Sequence, residues 1–301
     1  MTNPPQQLDT VRDPMRLLPD HPAAAMPPKF VEVDAEKHQI WPNWREIWEF
    51  RLVLVHLVIR DYKVRFRQTL IGVAWAVIQP VTTMIVFTIF FNGVAGITTP
   101  NGVPYPLFSF AALVPWTFFS NGLSLASESL VGQGHLVRKV YVPRLLIPIS
   151  RILGGAIDYA ISIGVLLLLM LIYHQPLPLQ AWLMVPLLSI FAMLITTGIS
   201  LWTSAMMVYY RDVRYLIPFA VQILLFVSPI AYSSQRLGEG ERMLYALNPM
   251  VSVIEGMRAA LLNIDSLPPT AYLISALVTL VIVVTGIAFF RRAEGRFADM
   301  I

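Results

Sequence analysis

Charge disappears from this chain between Arg67 and Glu128, and apolar residues fill most of the gap. They fall into two runs, Leu70–Ile97 and Tyr105–Leu125, separated by the turn-forming segment Thr98–Pro104. About 20 apolar residues cross a bilayer as a helix, so this pattern predicts a membrane-spanning hairpin. A second charge-poor block, Tyr159–Tyr210, breaks at His174-Gln175-Pro176-Leu177-Pro178, a proline-rich turn signal. It yields spans over Ile147–Tyr173 and Trp182–Val208. Further spans are expected over Tyr215–Tyr232 and Tyr272–Phe290. The expected fold is an all-α membrane protein with six transmembrane helices within residues 70–290.

Three segments fit neither a span nor a simple loop. In Trp44–Arg67, the residues Trp44, Trp48, Leu52, Val55, Ile59, Tyr62 and Phe66 recur at steps of three or four. Arg45, Glu49, His56, Arg60, Lys63 and Arg67 form an offset charged stripe, as in an amphipathic helix. Such a helix lies in the membrane interface or packs on a soluble partner, and residues 41–69 are assigned to it. Arg60, Lys63, Arg65 and Arg67 are its basic end. The second segment, Glu128–Pro148, has Gly132-Gln133-Gly134 interrupting the helix that leaves the second span. There follows a short basic, partly apolar stretch from His135 to Tyr141, ended at Pro143. This is either a docking knob or a loop with no partner. The third, Leu237–Leu262, contains Asn248-Pro249, an N-cap followed by proline at the first helical position. Two short helices joined there suggest a re-entrant hairpin before the last span, with an exposed loop as the alternative.

Charge orients the pattern. Arg and Lys accumulate on the cytoplasmic side of membrane proteins. With the N-terminus inside, the inner segments collect the Arg45–Arg67 cluster, then Arg138, Lys139 and Arg144, then Arg211 and Arg214, then Arg291, Arg292 and Arg296. The outer turns Thr98–Pro104 and His174–Gln180 carry no Arg or Lys. Both termini are therefore expected in the cytoplasm, with 1–40 a polar, proline-rich flexible tail lacking a signal-peptide core, and 291–301 a short C-terminal tail.

Composition narrows the function. The chain is 56% hydrophobic and 13% charged, against about 25% charged in an ordinary soluble domain, so lipid is part of its solvent. The basic residues flank apolar runs rather than a folded soluble module, which argues against nucleic acid as a partner. Cysteine is absent, which excludes disulfides and thiolate metal sites. The five histidines follow no ligand spacing, so no metal is expected. Neither a Gly-x-Ser-x-Gly elbow nor an HExxH pair occurs, and no paired carboxylates converge on a glycosyl-transfer site. A transport subunit without intrinsic catalysis is expected.

Arg151 and Asp158 are the intramembrane polar residues needing an account, because a charge in lipid is costly. Arg151 can snorkel from the inner end of its span. Asp158, about two turns deeper, needs a partner on another helix, a wet cavity or a proton. It is either an interhelical clamp or a pore-lining or proton-linked group.

Four stretches, in register, resemble the permease subunit of type-2 ABC exporters, in the polysaccharide, O-antigen, capsule and teichoic-acid branch. They are Arg60 to Trp75 followed by Gln79-Pro80; Leu136-Val137-Arg138-Lys139-Val140-Tyr141-Val142-Pro143-Arg144; Tyr210 to Arg214 with Ser228-Pro229-Ile230; and Leu247-Asn248-Pro249 with Glu255 and Arg258. The likeness runs from about Trp44 to Phe290, and the long N-terminal tail departs from it. It implies a homodimer in the inner membrane that binds two copies of a separate ABC ATPase and exports lipid-linked polysaccharide. It also implies that Leu136, Val137, Arg138, Lys139, Val140, Tyr141 and Arg144 form a coupling helix and loop contacting that ATPase. The chain has no Gly-Lys dipeptide and so no phosphate-binding loop, which leaves ATP and Mg²⁺ to the partner and no cofactor to this chain. A polymer path needs ring faces for sugars, and Phe87, Phe90, Phe91, Trp116, Phe118 and Phe119 are candidates, or else lipid-facing and core aromatics. Rival readings are a drug or lipid exporter of the same fold, a proton-coupled transporter centred on Asp158, and a membrane glycosyltransferase.

Overall fold

The computed structural model describes residues 42–66, 71–134, 141–236, 238–265, 267–295 and 297. Every regular element among them is helical. The tail 1–40, Arg67 and the residues expected to couple, Leu136, Val137, Arg138, Lys139 and Val140, lie outside the described residues.

A short helix α1 (Trp44–Glu49) starts at Asn43, whose side chain accepts the Glu46 amide at 3.4 Å. After Phe50 the chain continues as α2 (Arg51–Phe66). Helix α3 (Trp75–Phe87) contains Pro80 and widens into a π-helical turn over Thr88–Val94. The following turn holds Gly96, Asn101 and Gly102 at positive φ, where glycine and asparagine carry the least steric cost. Helix α4 (Tyr105–Ser127) is followed by the short α5 (Ser129–Gly132), then α6 (Leu146–Ile172), α7 (Ala181–Tyr209) and α8 (Val213–Val227). On the far side of the bundle come α9 (Glu239–Tyr245) and α10 (Pro249–Leu262), and α11 (Pro269–Glu294) returns.

Among the described residues, four helical segments are long and apolar enough to cross a membrane: Trp75–Val94, α6, α7 and α11. Helix α4 has the length, 23 residues, but carries Ser109, Thr117, Ser120, Asn121, Ser124 and Ser127. Its hydroxyls turn back on its own carbonyls, with Thr117 donating to Leu113 at 2.8 Å and Ser124 to Ser120 at 2.8 Å. Polarity is affordable there because α4 is the central helix, buried on most of its faces against α6, α7 and α10. Helix α8 has only 15 residues, about 22 Å at 1.5 Å per residue, short of a hydrocarbon core of about 30 Å. The expected span Tyr215–Tyr232 thus ends early, where Ser228 turns extended ahead of Pro229.

Small residues set the closest helix contact. A Cβ on Gly286 would sit 2.5 Å from the Gly198 carbonyl oxygen, so α7 and α11 cross with their backbones touching. Trp202 and Phe289 stack beside the crossing with ring centroids 4.3 Å apart.

Candidate coupling end and charge cluster

Helix α2 does not stand apart from the bundle. Leu57 packs with Val142 and Leu146, and two ion pairs then run along α2 and the N-terminal half of α6. Asp61, only 8% exposed, lies 3.2 Å from Arg151 Nε and 2.8 Å from Arg60 Nη2. Gln133 completes this group, its Oε1 accepting from Arg60 at 2.7 Å and its amide donating to Asp61 at 3.4 Å. Arg65 Nη1 meets Asp158 Oδ2 at 2.6 Å. The order Leu57, Asp61, Arg65 on α2 therefore matches Leu146, Arg151, Asp158 on α6, and the two helices run in the same direction. Asp158 has found its partner on another helix. The charge order on the two segments carried that signal: acid then base on one, base then acid on the other.

The apolar stripe along α1 and α2 stays uncovered. Trp44, Trp48, Leu52, Val55 and Ile59 are all exposed, as a lipid-facing surface requires. Arg51 lies over the Trp48 ring at 5.3 Å, and Lys63 is exposed.

The described residues flanking the basic loop are tied down on both sides. The Tyr141 hydroxyl donates to Glu46 Oε1 on α1 at 2.6 Å, and its ring meets Phe50 edge-on at 6.2 Å. Burial, and then the bond to Glu46, push the Tyr141 phenol up to about 12. Arg144 donates to the carbonyl of Glu294 at the end of α11 and lies 6.0 Å from the Phe297 ring. Arg291 pairs with Glu294 at 2.5 Å, and Tyr209 donates to Ala293 O at 3.1 Å. Arg214 reaches Glu128 at 3.4 Å. One end of the bundle thus gathers α1, the loop flanks, the ends of α4, α7 and α11 and the start of α8.

The candidate path aromatics divide. Trp116, Phe118 and Phe119 are buried in the core of the chain, whereas Phe90 is 59% exposed. Phe87 and Phe91 are partly buried and contact each other edge-on at 5.1 Å.

At the other end, Glu255 and Arg258 do more than pair along a helix surface. Both are buried, with Arg258 Nη1 3.5 Å from Glu255 Oε1. Arg258 donates to the carbonyls of Phe108 (3.1 Å), Pro229 (2.6 Å), Ile230 (2.6 Å) and Tyr232 (3.2 Å), and lies 3.5 Å from the Phe108 ring centre. Glu255 accepts the Ser234 amide at 3.2 Å. The non-helical stretch after α8 leaves carbonyls that need donors away from water, and Arg258 supplies them. The Ser228-Pro229 break was the sequence signal for this need, but it does not name the donor. Among the described residues, no three His, Asp or Glu side chains converge as metal ligands.

Comparison with known proteins places this architecture. A family model described as ABC-2 type transporter matches residues 53–262. An O-antigen export system permease protein RfbA of Klebsiella pneumoniae is 24% identical over 250 residues, covering 83% of this chain and 95% of that protein. Its namesake from Myxococcus xanthus is 25% identical over 260 residues, covering 85% and 98%. The polysialic acid transport protein KpsM of Escherichia coli is 25% identical over 244 residues, covering 79% and 92%. Matched from within α2 to the end of α10, and multi-pass by its long apolar helices, the chain belongs to the ABC-2 type transporter family.

Proposed function

We propose that this chain is the channel-forming subunit of an ATP-driven exporter of lipid-linked polysaccharide in the cytoplasmic membrane. The carrying observation is its near full-length similarity to permeases named for O-antigen export and polysialic acid transport. In this reading α4 and α8 complete six spans, both termini face the cytoplasm, and α9 with α10 forms a re-entrant outer hairpin. Two copies of the chain pair around the path, and two ABC ATPase subunits bind ATP and Mg²⁺.

Leu136–Val140 with Tyr141 and Arg144 receive the ATPase motion. The loop flanks are fastened to α1 and to the end of α11, so displacement of the loop is transmitted to both. From α1 it passes along α2, and the Asp61–Arg151 and Arg65–Asp158 pairs carry it into α6. The ion-paired state of Asp158 favours a mechanical clamp over a proton carrier. Of the six aromatic candidates, Phe90 presents ring surface outward, Phe87 and Phe91 are partly buried against the core, and Trp116, Phe118 and Phe119 are buried.

The test is affinity purification of the solubilised chain from its native membranes, with an ATPase assay on the eluate, beside a deletion strain examined for polymer. Co-purification of a nucleotide-binding subunit, with polysaccharide accumulating inside deleted cells, is the expected result. A chain that purifies alone, without ATPase activity, and whose deletion leaves the surface polymer unchanged would sink the reading.

A further inference from the structure

Basic Arg291 and Arg292 close the apolar run of α11, yet Phe297, three residues past the end of that helix, is fully buried. Chain ends are loosely ordered unless something ties them down, so a covered aromatic ring this close to the last residue needs a reason. Its cover is a small apolar cluster apart from the main core. The cluster joins Leu130 of α5, Leu145 and Ile147 at the start of α6, Leu201 of α7 and Phe290 of α11. Leu130 precedes the basic loop and Leu145 follows it, so the cluster sits behind both flanks of the loop. Within it the Phe297 ring meets Phe290 edge-on at 5.4 Å and Tyr209 at 6.5 Å.

The last carbonyls of a helix lack partners inside it. On α11, two of them accept from side chains elsewhere in the chain. Arg144 donates to the Glu294 carbonyl, and Tyr209, the last residue of α7, donates to the Ala293 carbonyl at 3.1 Å. The helix dipole also favours a cation at this end. The Arg144 guanidinium lies 6.0 Å from the Phe297 ring centre, close enough for a cation–π contact. Arg144 is thus held by a carbonyl and a ring of one short segment, and the ring keeps its place because the cluster covers it. Helix α11 is already fastened to α7 further along, where Gly286 meets the Gly198 backbone and Trp202 stacks on Phe289. The contacts of Arg144 and Phe297 therefore join a loop flank to two helices packed as a unit.

We propose that Phe297 is a positioning residue for the coupling loop: seated in this cluster, it keeps Arg144 on the end of α11, so that α7 and α11 move with the loop as one body. The proposal rests on the coupling role given to the loop above. It adds a branch through the C-terminal end of the chain to the branch through α1, α2 and α6. Motion delivered at Arg144 reaches the end of α11 directly, and the end of α7 through the Tyr209–Ala293 bond. A smaller side chain at position 297 leaves the ring's volume empty and frees Arg144 to leave the carbonyl. That cuts the C-terminal branch and spares the other, which starts from Tyr141 and Glu46.

The experiment makes Phe297→Leu, Phe297→Val and Phe297→Ala in the full chain, expressed with its own partners in a deletion strain. For each variant it measures the chain in the membrane, the surface polymer per copy of that chain, and ATP hydrolysis per copy by the complex purified from the same cells. A contact that serves stability alone would lower the first quantity and leave the other two. The expected result is polymer per copy falling in the order leucine, valine, alanine, by about tenfold at alanine, while ATP hydrolysis per copy stays within about twofold of the parent chain. Leucine fills most of the site and should keep most of the export. If the alanine variant does not reach the membrane, leucine and valine carry the same comparison. Polymer per copy that stays flat across the inserted variants, or that falls only in step with ATP hydrolysis or with loss of the co-purifying ATPase, overturns the proposal. The deletion strain separates this outcome from failure of the reading beneath it. If deletion leaves the surface polymer unchanged, the export reading itself has failed; if deletion removes the polymer and the series is flat, only the role of Phe297 has.

Discussion

Two arginines mark the difference between a charge that fastens helices and one that satisfies backbone. Arg65 pairs with Asp158 across two helices. Arg65→Asp or Asp158→Arg alone should impair export and lower thermal stability in detergent, and the double exchange should recover much of both. The coupling energy between the sites should be about 1–2 kcal/mol, as for contacting residues. A double exchange no better than the worse single would remove the clamp. Arg258 is buried with four carbonyls on its guanidinium. Arg258→Met should cost about 3–5 kcal/mol, because it strands Glu255 and those carbonyls. Arg258→Lys should not rescue, since an ammonium lacks the planar fork that reaches several acceptors at once. Yield and melting temperature of the purified chain decide it; wild-type behaviour of the lysine variant would show that charge alone suffices. Tyr141 supplies a pH check. Its phenol is raised from 10.0 to about 12, so the neutral form is favoured in the folded protein. The stability it contributes is complete below about pH 10 and is lost as pH rises through about 12. Exchange or proteolysis of α1 should then be insensitive to pH from 6 to 9.

Helix packing turns on the absence of side chains as much as on their presence. Gly286 faces the Gly198 carbonyl at a distance no Cβ tolerates, whereas a Cβ at Gly164 would meet nothing. Gly286→Ala should destabilise by about 1–3 kcal/mol through overpacking. Gly164→Ala should be neutral or slightly stabilising, because alanine favours helix. Equal melting temperatures for the two variants would argue against the α7–α11 crossing. The apolar runs located α3 with its π-helical turn, α6, α7 and α11 well, since each has a long stretch of high mean hydropathy. Helix α8 was read too long, because hydropathy does not register the backbone break at Ser228. The amphipathic reading of α2 found its outward stripe but not its docking on α6: Leu57 and Asp61 belong to a second face that packs against that helix.

Across the whole molecule, in the proposed export reading, force enters at the end that holds α1, Tyr141, Arg144 and the close of α11. Arg138→Glu with Lys139→Glu should leave the chain folded and membrane-inserted while uncoupling ATP hydrolysis from export. Normal surface polymer in that double variant would reject the loop as the coupling element.

Sequence alone determined that the chain lives in lipid, which stretches are long apolar helices, which end carries the positive charge, and to which family it belongs. Those properties are written along one dimension, as run length, charge placement and local motif. Only the tertiary structure decided that Asp61 and Arg65 meet Arg151 and Asp158, and that Arg258 serves carbonyls contributed by α4 and by the break after α8. Each depends on which face of one helix meets which face of another. In a lipid-solvated chain, hydropathy is nearly blind to that choice, because an apolar side chain is equally at home against lipid or against a neighbouring helix.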